Sequence, residues 1–484
     1  MIRFLLGDKE IVLEEINPNI SLLEYLREKI FLTGTKEGCA SGDCGACTVV
    51  TSKLDVDNTS LQYESINACI VPLGSLHGRQ IITVEHLQHH ESLHNCQRAM
   101  AVNHGSQCGF CTPGFVMSLF SYLKNNEIPE REKILEALGG NLCRCTGYKS
   151  IIAAAFSMYE DYIGDQFDTS EGTTIKKLAQ IKAECTSAFL SENNQQYLMP
   201  RDIRELCKLL LTHPEARLVA GGTDLYLEIT QGLKKIETLI DILHVPQMNS
   251  IYENNGYIVI GAAVSYSAAK ATLVDLQPHL TELIERFGSM QIRNRGTLGG
   301  NIANASPIAD MPPVLIALNA NITLMKMDAE RTIPLEDFYT GYKKTQLMPQ
   351  EFIKDIQIPL NTKHLSLRAY KVSKRIDDDI SSLCLAISIV REEGLIKEAH
   401  IAYGGMAEVP KRAIICEKSM LGKAWSESTI EDAMVCISQD FSPISDFRAS
   451  AGYRLSVAKN LLKRYFLEEN GLDNEKFRVT HYAS

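Results

Sequence analysis

The run Gly38-Cys39-Ala40-Ser41-Gly42-Asp43-Cys44-Gly45-Ala46-Cys47 sets three cysteines in the pattern Cys-x4-Cys-x2-Cys, and Cys69 follows after a gap. That spacing suits four thiolates around a [2Fe–2S] cluster. The interleaved glycines let the backbone wrap closely and aim its amides at sulfur, which stabilises an anionic group. Upstream, Ile2 to Leu6 and Ile11 to Glu15 flank the turn Gly7-Asp8-Lys9-Glu10, and Ser21 is placed to cap a helix through Ile30. Hairpin, helix, cysteine loop and strand therefore follow one another.

A second set lies downstream as Cys108-Gly109-Phe110-Cys111 and Cys143-Arg144-Cys145. Two close pairs make a four-thiolate site for either zinc or iron, although Cys-x-Cys is atypical of zinc ribbons and fingers. Pro113 opens an expected helix from Gly114 to Lys124, which Asn125 and Asn126 end. Pro129 opens the next, Gly139-Gly140 stops it, and another starts at Lys149. Both pairs then precede helix starts, where free amides and the positive end of the dipole favour negative charge. His86, His89, His90, His94 and His104 are spaced irregularly between the two sets and read as surface or packing residues. Cys96, Cys185, Cys207, Cys384, Cys416 and Cys436 read as small buried apolar residues.

The chain has 484 residues, enough for about three domains of roughly 150 residues each. Its 45% hydrophobic and 22% charged residues exclude a disordered chain, and a net charge of −10 argues against a nucleic-acid partner. No apolar run is long enough for a signal peptide or a membrane span, so a cytoplasmic protein without a membrane partner is expected. Fourteen cysteines in such a chain point to metal ligation or burial, not disulfides. Between Tyr159 and Gln196 the pattern weakens and turns polar, which reads as a linker.

Beyond it a helix from Ile203 to Leu211 and a strand from Arg217 to Ala220 run into Gly221-Gly222-Thr223-Asp224-Leu225. This glycine turn is either ordinary punctuation or a set of amides for a pyrophosphate; it lacks the Gly-x-Gly-x-x-Gly fingerprint. A second glycine loop runs from Arg295-Gly296-Thr297-Leu298-Gly299-Gly300 to Asp310, and two such loops can hold opposite parts of one large ligand. From about residue 366, strand-like and helix-like stretches alternate, with a helix near Tyr453 to Phe466.

The first cysteine loop and its flanks resemble the β-grasp ferredoxins. With the motifs Gln107-Cys108-Gly109-Phe110-Cys111-Thr112-Pro113-Gly114 and Gly140-Asn141-Leu142-Cys143-Arg144-Cys145-Thr146-Gly147-Tyr148, residues 1 to about 160 resemble the two-cluster region of the molybdenum hydroxylases, the xanthine dehydrogenase and aldehyde oxidase family. Residues 197 to 365 resemble that family's FAD-binding domain, of the vanillyl-alcohol-oxidase (PCMH) type. Residues 366 to 484 resemble its CO dehydrogenase flavoprotein-like C-terminal domain.

The resemblance implies an α+β multidomain chain with a β-grasp 2Fe-2S domain over residues 1–85, a helical-bundle 2Fe-2S domain over 86–165, a linker over 166–196 and the two flavoprotein domains. It implies that Cys39, Cys44, Cys47 and Cys69 hold one cluster, and that Cys108, Cys111, Cys143 and Cys145 hold the other. It places Leu218, Val219, Ala220, Gly221, Gly222, Thr223, Asp224 and Leu225 against FAD, with Phe287, Thr297, Asp310, Ile353 and Lys371 as further contacts. Asp378 and Tyr342 fall on positions where nicotinamide docks, which makes NAD the expected co-substrate, and Gln107 falls beside the molybdopterin of a partner domain.

The function so implied is that of an electron-transfer subunit. A large molybdopterin-binding partner oxidises hypoxanthine and xanthine to urate, in a heterotetramer of two small and two large subunits. Electrons then cross the helical-domain cluster, the ferredoxin-like cluster and FAD to reach NAD. The alternatives are a relative acting on aldehydes or other N-heterocycles, and a freestanding electron carrier. An apolar surface near Gln107 to Phe115 distinguishes a docked subunit from the carrier.

Overall fold

Strand β1 (Ile2–Leu6) pairs antiparallel with β2 (Lys9–Leu13) around the two-residue turn Gly7-Asp8, with Gly7 at φ +61°. Ser21 Oγ accepts the Glu24 amide at the start of α1 (Leu22–Glu24), which continues as a wider turn over Tyr25–Lys29. With β3 (Thr48–Leu54), β4 (Leu61–Asn67) and β5 (Gln80–Ile82), the strands form a sheet of order β2-β1-β5-β3-β4. Only the β1–β5 pairing is parallel. Alternation along β1 sends Ile2, Phe4 and Leu6 into one core and Leu5 into another. This sheet is therefore covered on both faces.

The second core belongs to α2 (Asn95–Val102), α3 (Thr112–Asn125), α4 (Arg131–Leu138), α5 (Lys149–Ser157) and α6 (Gln166–Ala183). Phe115, Leu119 and Phe120 of α3 are fully buried, and Pro113 sits in its first turn as expected. The structure corrects the linker expectation over 166–196. Asp165 accepts the Phe167 and Asp168 amides and caps an 18-residue helix, whose Phe167, Leu178 and Ile181 face the core. The polar side chains that suggested a loop are its cap and its solvent face.

Next come β6 (Ala188–Glu192), β7 (Gln195–Met199), α7 (Ile203–Thr212), β8 (Arg217–Val219), α8 (Leu225–Thr230) and β9 (Thr238–Asp241). Their sheet has the order β6-β7-β9-β8, and Tyr197, Val219, Tyr226 and Leu239 share the first core with Ile2, Phe4 and Leu73.

The computed structural model describes residues 1–55, 57–90, 92–184 and 188–472. Contacts divide the chain into one unit of Met1–Val245 with Ser289–Gly296 and another of Pro246–Gly288 with Thr297–Ser484. The later part of the chain starts with β10 (Ile251–Asn254), β11 (Tyr257–Gly261), α9 (Tyr266–Leu276) and α10 (Thr281–Glu285). Then α11 (Met290–Arg293) returns to the first unit.

The second unit continues through α12 (Leu298–Ala303), α13 (Met311–Ala317), β12 (Asn321–Lys326), β13 (Ala329–Pro334), β14 (Tyr339–Gly341), β15 (Lys344–Thr345) and β16 (Phe352–Pro359). Five of these strands form an antiparallel sheet of order β10-β11-β16-β12-β13. A second antiparallel sheet comprises β17 (Leu367–Val372), β18 (Leu383–Glu392), β19 (Leu395–Gly404) and β20 (Lys411–Arg412). It shares a core with α14 (Ile414–Met420), α15 (Glu427–Asp440) and α16 (Ala451–Glu469).

Cys96, Cys207, Cys384 and Cys416 are buried as expected. Cys436 is only half-buried, packed at the edge of the core on α15, and Cys185 lies outside the described residues.

Candidate functional site

The first cysteine loop turns where the sequence supplies glycine: Gly42 and Gly45 have φ of +82° and +68°, and Ala40 is also left-handed at +52°. Asn67 Nδ2 donates to the Gly42 carbonyl at 2.6 Å, while the Ser41 amide reaches Cys39 Sγ at 3.4 Å. Cys47 Sγ lies 3.3 Å from Cys69 Sγ. Hydrogen bonds from the Cys44 and Cys69 thiols hold Cys39 well below the ordinary thiol range, and the same bonds to Cys39 push Cys44 and Cys69 up. The thiols of this set thus lie against one another, Cys39 with both Cys44 and Cys69 and Cys69 also with Cys47, and four thiolates are the donor set of a [2Fe–2S] cluster.

In the second set Cys111 stands at the N-cap of α3, after Gly109 at φ +84°, and Cys143 and Cys145 precede α5. All four cysteines are free, and the Cys111 thiol interacts with that of Cys143 as the Cys108 thiol does with that of Cys145. Cys143 Sγ accepts the Thr146 hydroxyl at 3.2 Å and the Cys145 amide at 3.5 Å. Burial raises the Cys143 thiol, yet these donors outweigh it and leave the group at about 7. Here too the donor set fits two irons.

The two loops touch. The Leu142 amide donates to the Cys44 carbonyl at 3.0 Å, and Asn141 Nδ2 donates to the Gly45 carbonyl at 3.1 Å. A Cβ at Gly45 would overlap the Gly140 carbonyl oxygen, and one at Gly114 would overlap the Gly45 carbonyl oxygen. On the outer side Cys108 and Cys145 are exposed, and the Gln107 amide donates to the Cys145 carbonyl at 3.1 Å. Phe110, Leu142 and Tyr148 around them are 47%, 47% and 37% exposed.

The expected flavin residues fall in both units. In the first, Leu218 and Val219 end β8, Ala220 to Thr223 make the turn, and Asp224 and Leu225 open α8. Gly222, at φ +83°, lies so close to Ile70 and Pro72 that a Cβ would stand 3.0 Å from the Ile70 carbonyl oxygen and 2.9 Å from Pro72 Cδ. Gln231 Nε2 donates to the Cys39 and Ala40 carbonyls at 3.0 and 3.1 Å. The turn therefore abuts the residues after Cys69, and its helix ends on the first cysteine loop.

In the second unit Thr297 Oγ1 accepts the Gly300 amide and caps α12. Asp310, Lys371 and Ser381 form a buried triad: Lys371 Nζ reaches Asp310 Oδ2 at 2.6 Å and Ser381 Oγ at 3.1 Å, and Ser381 donates to Asp310 Oδ1 at 2.5 Å. Phe287 stacks on Tyr266 with centroids 4.0 Å apart, and Ile353 is buried in β16. The Tyr266 and Tyr339 hydroxyls and Asn301 Oδ1 are buried without hydrogen-bond partners. Such groups fit a site completed by a polar ligand. Asp378 is half-buried at φ +46° and Tyr342 is exposed on the β14–β15 hairpin.

Family models match the whole series. The 2Fe-2S iron-sulfur cluster binding domain matches residues 6–74, and the [2Fe-2S] binding domain matches 83–156. The FAD binding domain in molybdopterin dehydrogenase matches 192–361, and the CO dehydrogenase flavoprotein C-terminal domain matches 368–469. The chain carries the iron–sulfur and flavin domains of the molybdenum hydroxylases.

Among its relatives, the xanthine dehydrogenase of Emericella nidulans is 33% identical over 96% of this chain and 38% of that protein. The xanthine dehydrogenase/oxidase of Gallus gallus is 31% identical over 97% and 41%. The chain therefore spans about two fifths of the length of these relatives. In structure it resembles quinoline 2-oxidoreductase from Pseudomonas putida 86, at 28% identity and a TM-score of 0.52 over 56% of this chain and 95% of that one. It also resembles carbon monoxide dehydrogenase from Hydrogenophaga pseudoflava, at 28% and 0.53 over 55% and 94%. Among the described residues no helix is long and apolar enough to cross a membrane.

Two glutamines beside the cysteine sets were not legible beforehand. Gln231 ends a short helix, and Gln291 stands between Met290 and Ile292. Their acceptors are backbone carbonyls and side chains distant in sequence, which leave no local signal.

Proposed function

We propose that this chain is the electron-transfer part of a purine-oxidising molybdenum hydroxylase, serving a large molybdopterin-bearing partner and reducing NAD. The exposed apolar rim of Phe110, Leu142 and Tyr148 around Cys108 and Cys145 carries this reading, because a freestanding carrier has no use for it. Relatives named xanthine dehydrogenase, matched over nearly all of this chain, support the purine substrate.

Bound clusters and flavin would supply the one-electron and hydride chemistry. Cys108, Cys111, Cys143 and Cys145 would hold the cluster facing the partner, with Gln107 beside its molybdopterin. Cys39, Cys44, Cys47 and Cys69 would hold the inner cluster, next to the glycine turn. Leu218 to Leu225 with Phe287, Thr297, Asp310, Ile353 and Lys371 would hold FAD, and Tyr342 and Asp378 would orient nicotinamide. Two copies with two large subunits would complete the assembly, in the cytoplasm.

The test is affinity capture of the chain from its own cells, with metal, flavin and paramagnetic resonance analysis of what is recovered. Two iron–sulfur signals, FAD and a large molybdenum-containing chain that turns over xanthine are expected. Zinc in place of iron, or capture of no molybdenum chain, would sink the proposal. The likeness to quinoline 2-oxidoreductase favours one second reading, an N-heterocycle other than a purine. Assaying the captured complex with both substrates separates the two.

A further inference from the structure

We infer that Gln291 is the positioning residue that fixes the two thiol sets relative to each other. The inference rests on the reading that both sets hold [2Fe–2S] clusters. Gln291 is 1% exposed, and the two N–H donors on its Nε2 are shared among Thr48 Oγ1 at 3.2 Å, Ser118 Oγ at 3.3 Å and Asn141 Oδ1 at 3.1 Å.

These acceptors lie on three segments. Thr48 follows Cys47 directly, Ser118 stands on the helix that Cys111 caps, and Asn141 is two residues before Cys143. They are also bonded among themselves. The Ser118 hydroxyl donates to Asn141 Oδ1 at 2.6 Å, the Thr48 hydroxyl donates to the Gly45 carbonyl at 2.7 Å, and Asn141 Nδ2 donates to that same carbonyl at 3.1 Å.

One buried amide thus closes a polar hub whose spokes end one or two residues from Cys44, Cys47 and Cys143. Breaking any of these buried bonds is costly, which holds the loops near one spacing although Gln291 Oε1 itself is buried without a partner. The surroundings are shaped to admit this side chain. A Cβ on Gly140 would overlap both Gln291 Oε1 and Ser289, so only glycine at 140 lets the segment seat. Just after Gln291, Arg293, bonded to Glu136 at 2.8 Å, and Asn294, donating to the Ser65 carbonyl at 2.9 Å, pin the segment further.

The role is positional, so its readout is the interaction between clusters and not their presence. Gln291→Met in the full chain keeps the side-chain length and removes the donor. Iron and FAD contents are expected to equal the parent's, while low-temperature paramagnetic resonance of the reduced protein changes in spin–spin line shape and at least one cluster reduction potential shifts. Full iron with parental line shapes and potentials overturns the inference. Should Gln291→Met lose iron, Ser118→Ala, which removes one spoke, decides by the same two readouts. A parent chain lacking two iron signals brings down the functional reading itself, and this inference with it.

Discussion

The Leu142 amide donates to the Cys44 carbonyl at 3.0 Å, so one hydrogen bond joins a residue of the first thiol set to the neighbour of Cys143 in the second. That approach depends on Gly45, Gly114 and Gly140 packing backbone on backbone. Gly45→Ala meets both a left-handed φ of +68° and the Gly140 carbonyl, whereas Gly147→Ala meets the same φ in open space. The Gly147 variant should lose about 1 kcal/mol of stability and the Gly45 variant at least twice that. Thermal unfolding of the pair checks this, and equal losses would show that the loops do not need the contact.

Lys371 and Asp310 were expected to meet flavin; they also meet each other, nearly excluded from water. Lys371→Met should cost about 3–5 kcal/mol because it strands a buried carboxylate. The double variant with Asp310→Asn should recover a large part of that loss. Chemical denaturation gives both numbers, and a double variant no better than the single one would remove the pair as the cause.

The cysteine spacing and the glycine and proline punctuation made the cluster domains legible, because ligand spacing and helix ends are local. The hairpin, Ser21 cap, Pro113 helix and strand–turn at Gly221 were readable for the same reason. What escaped was long-range. The helix Gln166–Ala183 hides a core stripe of Phe167, Leu178 and Ile181 among polar residues. Its neighbour Asp165 caps the helix and also bonds His94 at 3.1 Å across 71 residues. Residues 289–296 read as the approach to a glycine loop, and only folding brings Gln291 between the cysteine sets and Arg295 to Ser75 at 2.7 Å.

His77 and His244 face each other with ring centroids 6.0 Å apart, and burial lowers both to about 4. The unfolded chain, with histidine near 6.5, binds those protons first as pH falls. Their contribution is therefore intact above about 6.5 and lost on acidification toward 4. Asp241, fully buried, is pushed up to about 6 by burial and acts in the opposite sense, losing stability as pH rises from about 4 to 6. His244→Phe should remove one proton from the difference between folded and unfolded states in this window, or up to about 1.4 kcal/mol per pH unit. Asp241→Asn should steepen the acid loss. Unfolding free energies at pH 4.5, 5.5 and 6.5 test both, and parallel profiles for parent and His244→Phe would contradict the assignment.

Asp378 sits at φ +46°, where aspartate and asparagine are tolerated and alanine is strained. An Asp378→Ala variant that lost NADH oxidation would therefore mix lost charge with a deformed loop. Asp378→Asn keeps the backbone preference and removes only the charge, which makes it the sharper probe of nicotinamide docking. If the carboxylate orients the nucleotide, NADH-dependent dye reduction should fall about tenfold in kcat/KM, or about 1.4 kcal/mol. Bound FAD should stay at the parental level, because the flavin contacts proposed above do not include this side chain. Unchanged NADH kinetics in Asp378→Asn, with flavin intact, would assign any loss seen in Asp378→Ala to strain and leave the carboxylate without a role in hydride transfer.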